Sequence, residues 1–298
     1  MSKLVRHIDV RAASRTDAAG VFIGSSVDLG WGRVYGGQTM AQALAACQQL
    51  AGPSRVAHDI GCHFLKGGDV QADVRFEVET LSRGRSFTCV HARALQSDTL
   101  ILSMTASFQE PERGLEHQPE DGPRWDEWGT PDALQPLEDH MAPQLPLLPE
   151  KMRWLYTAGR SPFDLRPNAF VPLGDATRRA PDQALWIRSR EPLPDDANVH
   201  QRLLTYLSDW GFLATAMLPH GTGVWSPAMQ AASLSHSVHF HHDFRLDHEW
   251  LCHVMHSPVA SGGRGYARGE VWTEGGLLVA TTAQEGLMRL RTHKSGRG

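Results

Sequence analysis

The segments TLILSMTASFQE (residues 99–110) and GLLVATTAQE (residues 276–285) share aliphatic and β-branched residues and a Thr-Ala pair, at positions 105–106 and 282–283. His63-Phe64 and His239-Phe240 match in the same order and at nearly the same spacing. A repeat with so long a period indicates a duplicated domain rather than a solenoid. The sequence therefore predicts two copies of one structural unit.

Each predicted copy combines one long helix with several strands. QTMAQALAACQQL (residues 38–50) follows Gly36-Gly37 and has apolar residues at helical spacing, and VHQRLLTYLSDWGFLATAML (residues 199–218) predicts a second, continuous helix. In DVRFEVETL (residues 73–81), apolar and charged residues alternate, which is typical of a half-buried antiparallel strand. These patterns predict an α+β fold in which two antiparallel sheets, each wrapping one helix, merge side by side.

A change in composition divides the two copies. The stretch after residue 111 is rich in Pro, Asp, Glu and Gly and has little periodicity, which favours a connector with some helical turns. We predict an N-terminal repeat over residues 1–112, a connector over 113–183 and a C-terminal repeat over 184–298.

Composition argues against several classes of protein. The 298 residues are 41% hydrophobic and 21% charged, and no segment approaches the roughly 20 consecutive apolar residues of a membrane span. A net charge of -4 with interspersed signs gives no basic stripe for nucleic acid. The start of the chain lacks the apolar run of a secretory signal, so we expect a bacterial-type cytoplasmic protein.

Motifs for metals, nucleotides and serine hydrolases are missing from the sequence. The four cysteines are scattered, which indicates neither a disulfide framework nor a zinc site. His248 and His253 are spaced by five residues, whereas a zinc-binding HExxH helix needs four. No GxSxG elbow, GxGxxG turn or P-loop lysine occurs. We therefore expect no metal and no cofactor.

Six stretches in both halves resemble one known family, the bacterial acyl-CoA thioesterase II family of double-hotdog proteins. They are RVYGGQTMAQAL, LKGGDVQADVRFEVETLSRGRSFTCVHARALQ, MTASFQEPERGLEHQ, LPDDANVHQRLLTYLSDWGFLATAMLPHGTG, SLSHSVHFHHDFRLDHEWL and RGYARGEVWTEGGLLVATTAQEGLMR. The resemblance implies a double-hotdog fold and hydrolysis of acyl-CoA to free fatty acid and coenzyme A, with water as the nucleophile and no cofactor. It also implies a homo-oligomer, because exposed sheet edges in related proteins are often covered by a second protomer.

The resemblance assigns three catalytic residues to the second copy. These are the Asp of YLSDWGFL, Asp209, the hydroxyl residue of AASLSHS, Ser233, and the Gln of TTAQEGLM, Gln284. Some members have Thr in place of Ser233, and a Ser supplies the same hydroxyl. An Asp commonly precedes the His that is His236 here, whereas this chain has Ser235. Burial of Asp209 among apolar neighbours would raise its basicity, and Ser and Gln can orient a water.

Three residues of the first copy are candidates for substrate binding. Amides at a glycine-rich helix start can donate to a carbonyl oxygen, so Gly36 and Gly37 are predicted to do so, which would place the site between the two halves. The alternative is that these glycines only allow a tight entry into the helix. His58 precedes a strand and is predicted to line the pocket, the alternative being a hydrogen-bonded structural histidine.

Two other functions stay open from the sequence. An enoyl-CoA hydratase on the same fold would carry a GDxNPxH-like loop, of which only Lys66-Gly67-Gly68-Asp69-Val70 is similar. A non-catalytic acyl-CoA binding module is the second alternative. Aligning the two Thr-Ala pairs puts Ser107 where Gln284 lies, so the first copy lacks the polar set, and such asymmetry favours an enzyme over a passive binder.

Overall fold

The first half of the chain forms six strands and one long helix. The structure is a computed structural model that describes residues 3–120 and 122–291. The elements of this half are α1 (Lys3–His7), β1 (Arg11–Arg15), β2 (Ala19–Gly24), α2 (Gly36–Ala51), β3 (Val56–Phe64), β4 (Val74–Arg83), β5 (Phe87–Gln96) and β6 (Thr99–Gln109). The predicted alternation is confirmed in β4, where Val74, Phe76 and Val78 are buried.

The second half repeats this order after a connecting region. The connecting region holds α3 (Trp125–Trp128), α4 (Leu137–Met141) and α5 (Glu150–Arg153), with 3-10 turns at Pro131–Ala133, Ala142–Leu147 and Trp154–Tyr156. The second half contains β7 (Phe163–Pro167), β8 (Asp182–Ser189), α6 (Ala197–Ser208), α7 (Phe212–Thr215), a 3-10 turn (Leu218–His220), β9 (Met229–Phe240), β10 (Leu251–Ser261), β11 (Arg264–Thr273) and β12 (Leu278–Leu290). β7 and the start of β8 fall within residues 113–183, and the predicted domain boundaries themselves stay a prediction.

The two halves share one antiparallel sheet. Within the described residues it has twelve strands in the order β1-β2-β4-β5-β6-β3-β9-β12-β11-β10-β8-β7. The second six strands repeat the order of the first six in reverse, as a two-fold related pair of units requires. The halves join where β3 pairs with β9, with Ile60 opposite Val238. The predicted merging of two sheets is therefore confirmed.

The two long helices lie antiparallel, and they pack against each other and against the sheet. Near one end Tyr35 donates its hydroxyl hydrogen to the carbonyl oxygen of Tyr206, and near the other Gln48 donates to the carbonyl oxygen of Asn198. α2 is buried on nearly all sides and not along one face only, since the sheet covers one side and α6 the other. Its many alanines permit this close approach.

α6 is shorter than the sequence predicts. The expected continuous helix over residues 199–218 ends at Ser208, and a short helix resumes at Phe212. Gly211 has φ of 74°, a left-handed conformation that interrupts the helix and that glycine adopts without steric cost. Asp209 is therefore the C-cap of α6, and its predicted position inside a helix is wrong.

A β-bulge occurs at the same place in both copies and aligns them. The pairing of β3 with β6 shifts between Ala57 and Asp59, and the pairing of β9 with β12 shifts between Ser233 and Ser235. Each bulge adds one unpaired residue to its strand. Counting from the bulges, Ala57 is the counterpart of Ser233.

The bulges also correct the predicted alignment of the last strands. Phe108 pairs with Ala57 and Gly286 pairs with Ser233, so Gln284 corresponds to Ala106 and not to Ser107. The two Thr-Ala pairs are one residue out of phase, and a one-residue shift moves every side chain to the opposite face of a sheet.

Two strands have no counterpart in the sequence prediction, β1 and β7. All five residues of β1 are exposed, so the segment RAASR has no apolar alternation to indicate a strand. β7 lies in the stretch interpreted as connector. Across the described residues, the helices are too short or too polar to cross a membrane.

Candidate active site

Asp209 lies between the ends of the two long helices. It caps the C-terminus of α6, and its Oδ2 accepts a hydrogen bond of 3.0 Å from the backbone amide of Gly37 in the first turn of α2. The positive end of the α2 dipole stabilises the carboxylate, whereas the negative end of α6 opposes it. Asp209 of the second copy thus meets α2 of the first at the junction of the two copies.

Asp209, Ser233 and Gln284 share direct hydrogen bonds. Asp209 Oδ1 accepts from Gln284 Nε2 at 2.5 Å and from Ser233 Oγ at 3.3 Å. Gln284 Nε2 also lies 3.2 Å from Ser233 Oγ. The structure therefore brings together three residues that are far apart in the chain, at the end of α6, on β9 and on β12.

Burial makes the Asp209 carboxylate more basic. Loss of solvent raises its pKa above the ordinary value, and hydrogen bonds from Gln284, Gly37 and Ser233 lower it again in part. The net direction is upward. A buried carboxylate with a raised pKa is suited to accept a proton near neutral pH.

The two glycines that begin α2 make room for Asp209. A Cβ on Gly36 would lie 2.8 Å from Asp209 Oδ2, and one on Gly37 would lie 2.2 Å from the carbonyl oxygen of Tyr206. The amide of Gly37 is used by Asp209, whereas no described residue accepts from the amide of Gly36. Of the two predicted amide donors, only Gly36 is therefore free to face a substrate.

A cavity of about 960 Å³ opens in front of Asp209. Its walls come from both copies and from the connecting region, and they are largely aromatic and aliphatic. Among the lining residues are Trp31, Arg33, Tyr35, Gly36, Phe64, Lys66, Tyr156, Asp209, Trp210, Trp225, Ser233 and Arg291. Gln284 is behind this surface, since only 2% of it is exposed.

His58 is not part of this group. It is the extra residue of the β3 bulge, and its Nε2 lies 2.8 Å from Ser107 Oγ on the sheet face away from the helices. Its ring packs edge-on against Phe87 at 5.5 Å between centroids. These contacts are those of a hydrogen-bonded structural histidine, the alternative considered for His58. The side chain of His58 has no contact with Asp209, and its substrate-binding role stays a prediction.

One buried residue next to the trio was missed by the sequence reasoning. His236 Nδ1 lies 3.1 Å from Gln284 Nε2, and only 2% of His236 is exposed. Its position on the same strand face as Val238 and Phe240 was a signal for a buried histidine. Over the described residues, no group of three or more His, Cys, Asp or Glu side chains could hold a metal ion.

Known proteins with similar sequences share one activity by name. A family model described as "Acyl-CoA thioesterase" matches residues 158–287, and one described as "Acyl-CoA thioesterase N-terminal domain" matches residues 27–109. Over 269 residues the chain is 37% identical to acyl-CoA thioesterase 2 of Haemophilus influenzae, covering 90% of this chain and 92% of that protein. The chain belongs to the acyl-CoA thioesterase family.

Solved structures similar to this chain include proteins with the hotdog fold. A crystal structure of an acyl-CoA thioesterase II from Mycobacterium marinum is 30% identical, with a TM-score of 0.75, covering 98% of this chain and 100% of that one. A protein of unknown function with a hot dog fold from Alicyclobacillus acidocaldarius is 18% identical, with a TM-score of 0.70 and coverage of 98% and 100%. The predicted double hotdog is confirmed.

Proposed function

We propose that this member of the acyl-CoA thioesterase family hydrolyses acyl-CoA at a single site around Asp209, by water that this carboxylate activates. The observation that carries the proposal is the partly buried carboxylate of Asp209, which lines the cavity and accepts hydrogen bonds from Ser233 and Gln284. Ser233 and Gln284 are the proposed partners that hold the carboxylate and the water in place.

The proposed reaction needs one proton acceptor and one oxyanion donor. Asp209 removes a proton from water as the oxygen attacks the thioester carbonyl, and the free amide of Gly36 donates to the developing oxyanion. Collapse of the tetrahedral intermediate breaks the carbon–sulfur bond, and the proton on Asp209 passes to the departing thiolate. Gln284 Oε1 is buried and has no protein partner among the described residues, so Gln284 acts on the water through its hydrogen bonds to Asp209 and Ser233.

Charge at the cavity favours a substrate that carries phosphates. Arg33, Lys66 and Arg291 line the same cavity as Asp209, and all three are exposed. In the described part of the chain none of the three forms an ion pair. Coenzyme A carries three phosphates. Exposed basic side chains without an ion-pair partner attract such groups through a screened Coulomb interaction.

The proposal is tested by measuring release of free thiol from acyl-CoAs of increasing chain length. We expect turnover with at least one chain length, and a higher KM when the same acyl group is presented on pantetheine, which lacks the phosphates. Loss of the enoyl absorbance of an enoyl-CoA, measured in parallel, reports the hydratase alternative.

Each alternative gives a different result in this experiment. Saturable binding of acyl-CoA without thiol release at any chain length would favour the acyl-binding module. Hydration of enoyl-CoA without thiol release would favour the hydratase. The homo-oligomer and the cytoplasmic location inferred from the sequence stay predictions, and the oligomer can be measured by light scattering.

A further inference from the structure

A chain of buried polar groups extends from Gln284 away from the cavity. Gln284 Nε2 lies 3.1 Å from His236 Nδ1, and His236 Nε2 lies 2.9 Å from Ser208 Oγ. Ser208 in turn donates its hydroxyl hydrogen to the carbonyl oxygen of Thr205 at 3.0 Å. Ser208 and Thr205 are fully buried, so water does not compete for these bonds.

The direction of every bond in this chain follows from Asp209. An ionised carboxylate can only accept, so Gln284 must turn its NH₂ group, and not its oxygen, toward Asp209. The same nitrogen faces His236, so His236 Nδ1 must be the unprotonated acceptor. The proton of the neutral ring is then on Nε2, which donates to Ser208.

We propose that His236 is a positioning residue, which fixes the amide orientation of Gln284 through its Nδ1 and is itself held in the Nε2–H form by Ser208. The inference rests on the proposed function of Gln284, which it deepens. A glutamine amide is symmetric enough in shape to rotate by half a turn, and rotation would put its oxygen against the Asp209 carboxylate. His236 and Ser208 oppose that rotation from the side away from the cavity.

The first copy, which lacks the catalytic trio, also lacks polar residues at the positions equivalent to His236 and Ser208, and this supports the inference. Counting from the bulges, Ile60 is the counterpart of His236, and it is just as buried. Counting from the starts of the two long helices, Cys47 is the counterpart of Ser208. The copy that has Ala106 in place of Gln284 therefore has apolar or weakly polar residues where the supporting chain would be.

Burial keeps the ring of His236 neutral. Loss of solvent lowers its pKa to about 3, with a smaller contribution from His253. The ring therefore does not charge in the pH range of activity, and its hydrogen-bonding pattern is constant there. A buried, neutral and fully bonded histidine is suited to orientation and not to proton transfer.

Steady-state kinetics of thiol release test the inference. For His236→Phe, which keeps the ring and removes both nitrogens, we expect kcat to fall about 10- to 100-fold with KM changed less than about threefold. His236→Asn, whose side-chain oxygen can stand in for Nδ1, should recover part of the loss. Ser208→Ala should lower kcat severalfold in the wild-type background and not further in His236→Phe, because both act through one chain.

His253 offers a matched control. It is fully buried, its pKa is likewise lowered to about 3, and its Nε2 bonds to Thr282 Oγ1 at 2.9 Å without touching the trio. We expect His253→Phe to lose stability without a comparable loss of kcat. Equal losses of kcat in the two variants, or full kcat in folded His236→Phe, would overturn the positioning role. If His236→Phe does not fold, the loss of kcat in Ser208→Ala and in His236→Asn is compared with that in His253→Phe. Full kcat in both folded variants would then overturn the positioning role.

A second measurement separates this inference from the proposed function. Nitrogen-15 NMR of the wild-type protein should find the His236 ring protonated at Nε2 and unprotonated at Nδ1 between about pH 5 and 8. A proton on Nδ1 would overturn the inference even if thiol release requires Asp209. The Nε2–H form in a protein without thioesterase activity would contradict only the proposed function.

Discussion

The two copies carry different side chains at equivalent positions of the same fold. α2 and α6 begin directly after Tyr35 and Asp196, so Gln48 holds in the first copy the place that Asp209 holds in the second. The remaining positions follow the bulges: Ala57 corresponds to Ser233, and Ala106 corresponds to Gln284. The same backbone thus carries a carboxylate with two partners in one copy and an amide with two methyl groups in the other.

In the first copy, the position equivalent to Ser233 is occupied by a backbone contact with a side chain of the second copy. Gln201 of α6 donates to the carbonyl oxygen of Ala57 and accepts from its amide, which satisfies the backbone at the β3 bulge. The chain between α2 and β3 is also short, residues 52–55, whereas residues 209–228 separate α6 from β9. Several residues of that longer segment line the cavity, so only the second copy has both the polar set and the space for a substrate.

Replacing the carboxylate should have the largest effect. Asp209→Asn removes the proton acceptor and should lower kcat for acyl-CoA by about 10³-fold, within the range for loss of a general base. Gln48→Ala changes the equivalent position of the first copy and should leave kcat within about twofold. Thiol-release kinetics measure both, and a comparable loss in the Gln48 variant would break the distinction between the copies.

Replacing Gln284 by the residue of the first copy should have the next largest effect. Gln284→Ala leaves Asp209 without its shortest hydrogen bond, and we expect kcat to fall about 10²-fold. Ser107→Ala serves as the control, since Ser107 lies on the other face of the sheet beside His58. If Ser107→Ala were the more damaging change in thiol release, the alignment from the bulges would be wrong.

Ser233 should contribute less than its two partners. Ser233→Ala, again the residue of the first copy, removes a 3.3 Å bond to Asp209 and should lower kcat about tenfold. Ser233→Thr keeps the hydroxyl and should retain most of the activity. Equal losses in the two variants would mean that the hydroxyl is not what matters at this position.

The smallest expected effect is on the pH dependence of stability. Because burial raises the pKa of Asp209 in the folded state, its protonated form favours folding below the unfolded pKa of about 3.9. That contribution is lost as the pH rises through the folded pKa, by about 1.4 kcal/mol for each pH unit that separates the folded pKa from the unfolded one. Urea unfolding should show this loss between acidic and neutral pH in the wild type and not in Asp209→Asn; parallel curves would contradict it.

Regular side-chain alternation made most of the fold predictable, and local irregularities made the rest unpredictable. The patterns in β4 and β6 mark the strands directly, whereas β1 is fully exposed and has no pattern. α6 ends early because Gly211 adopts a positive φ. A single glycine within an apolar segment does not predict such a helix end. The Thr-Ala pairs of β6 and β12 are one residue out of phase, and only the hydrogen-bond pairing with β3 and β9 reveals it.

The candidate site was predictable only through family resemblance. Asp209, Ser233 and Gln284 are ordinary residues on three separate elements, and no spacing rule connects them. Their hydrogen bonds depend on how α6 crosses β9 and β12, which composition and periodicity do not determine. The supporting His236 was visible as a buried position, but its link to Gln284 and Ser208 requires the side-chain geometry.

A single-turnover reaction in water labelled with oxygen-18 tests the central claim most directly, that Asp209 of the second copy activates water and is not itself the nucleophile. With enzyme in excess over acyl-CoA, we expect one oxygen-18 atom in the fatty acid and none in the peptide that contains Asp209, both measured by mass spectrometry. An unlabelled fatty acid with label in Asp209 would identify a covalent anhydride intermediate and would contradict the account.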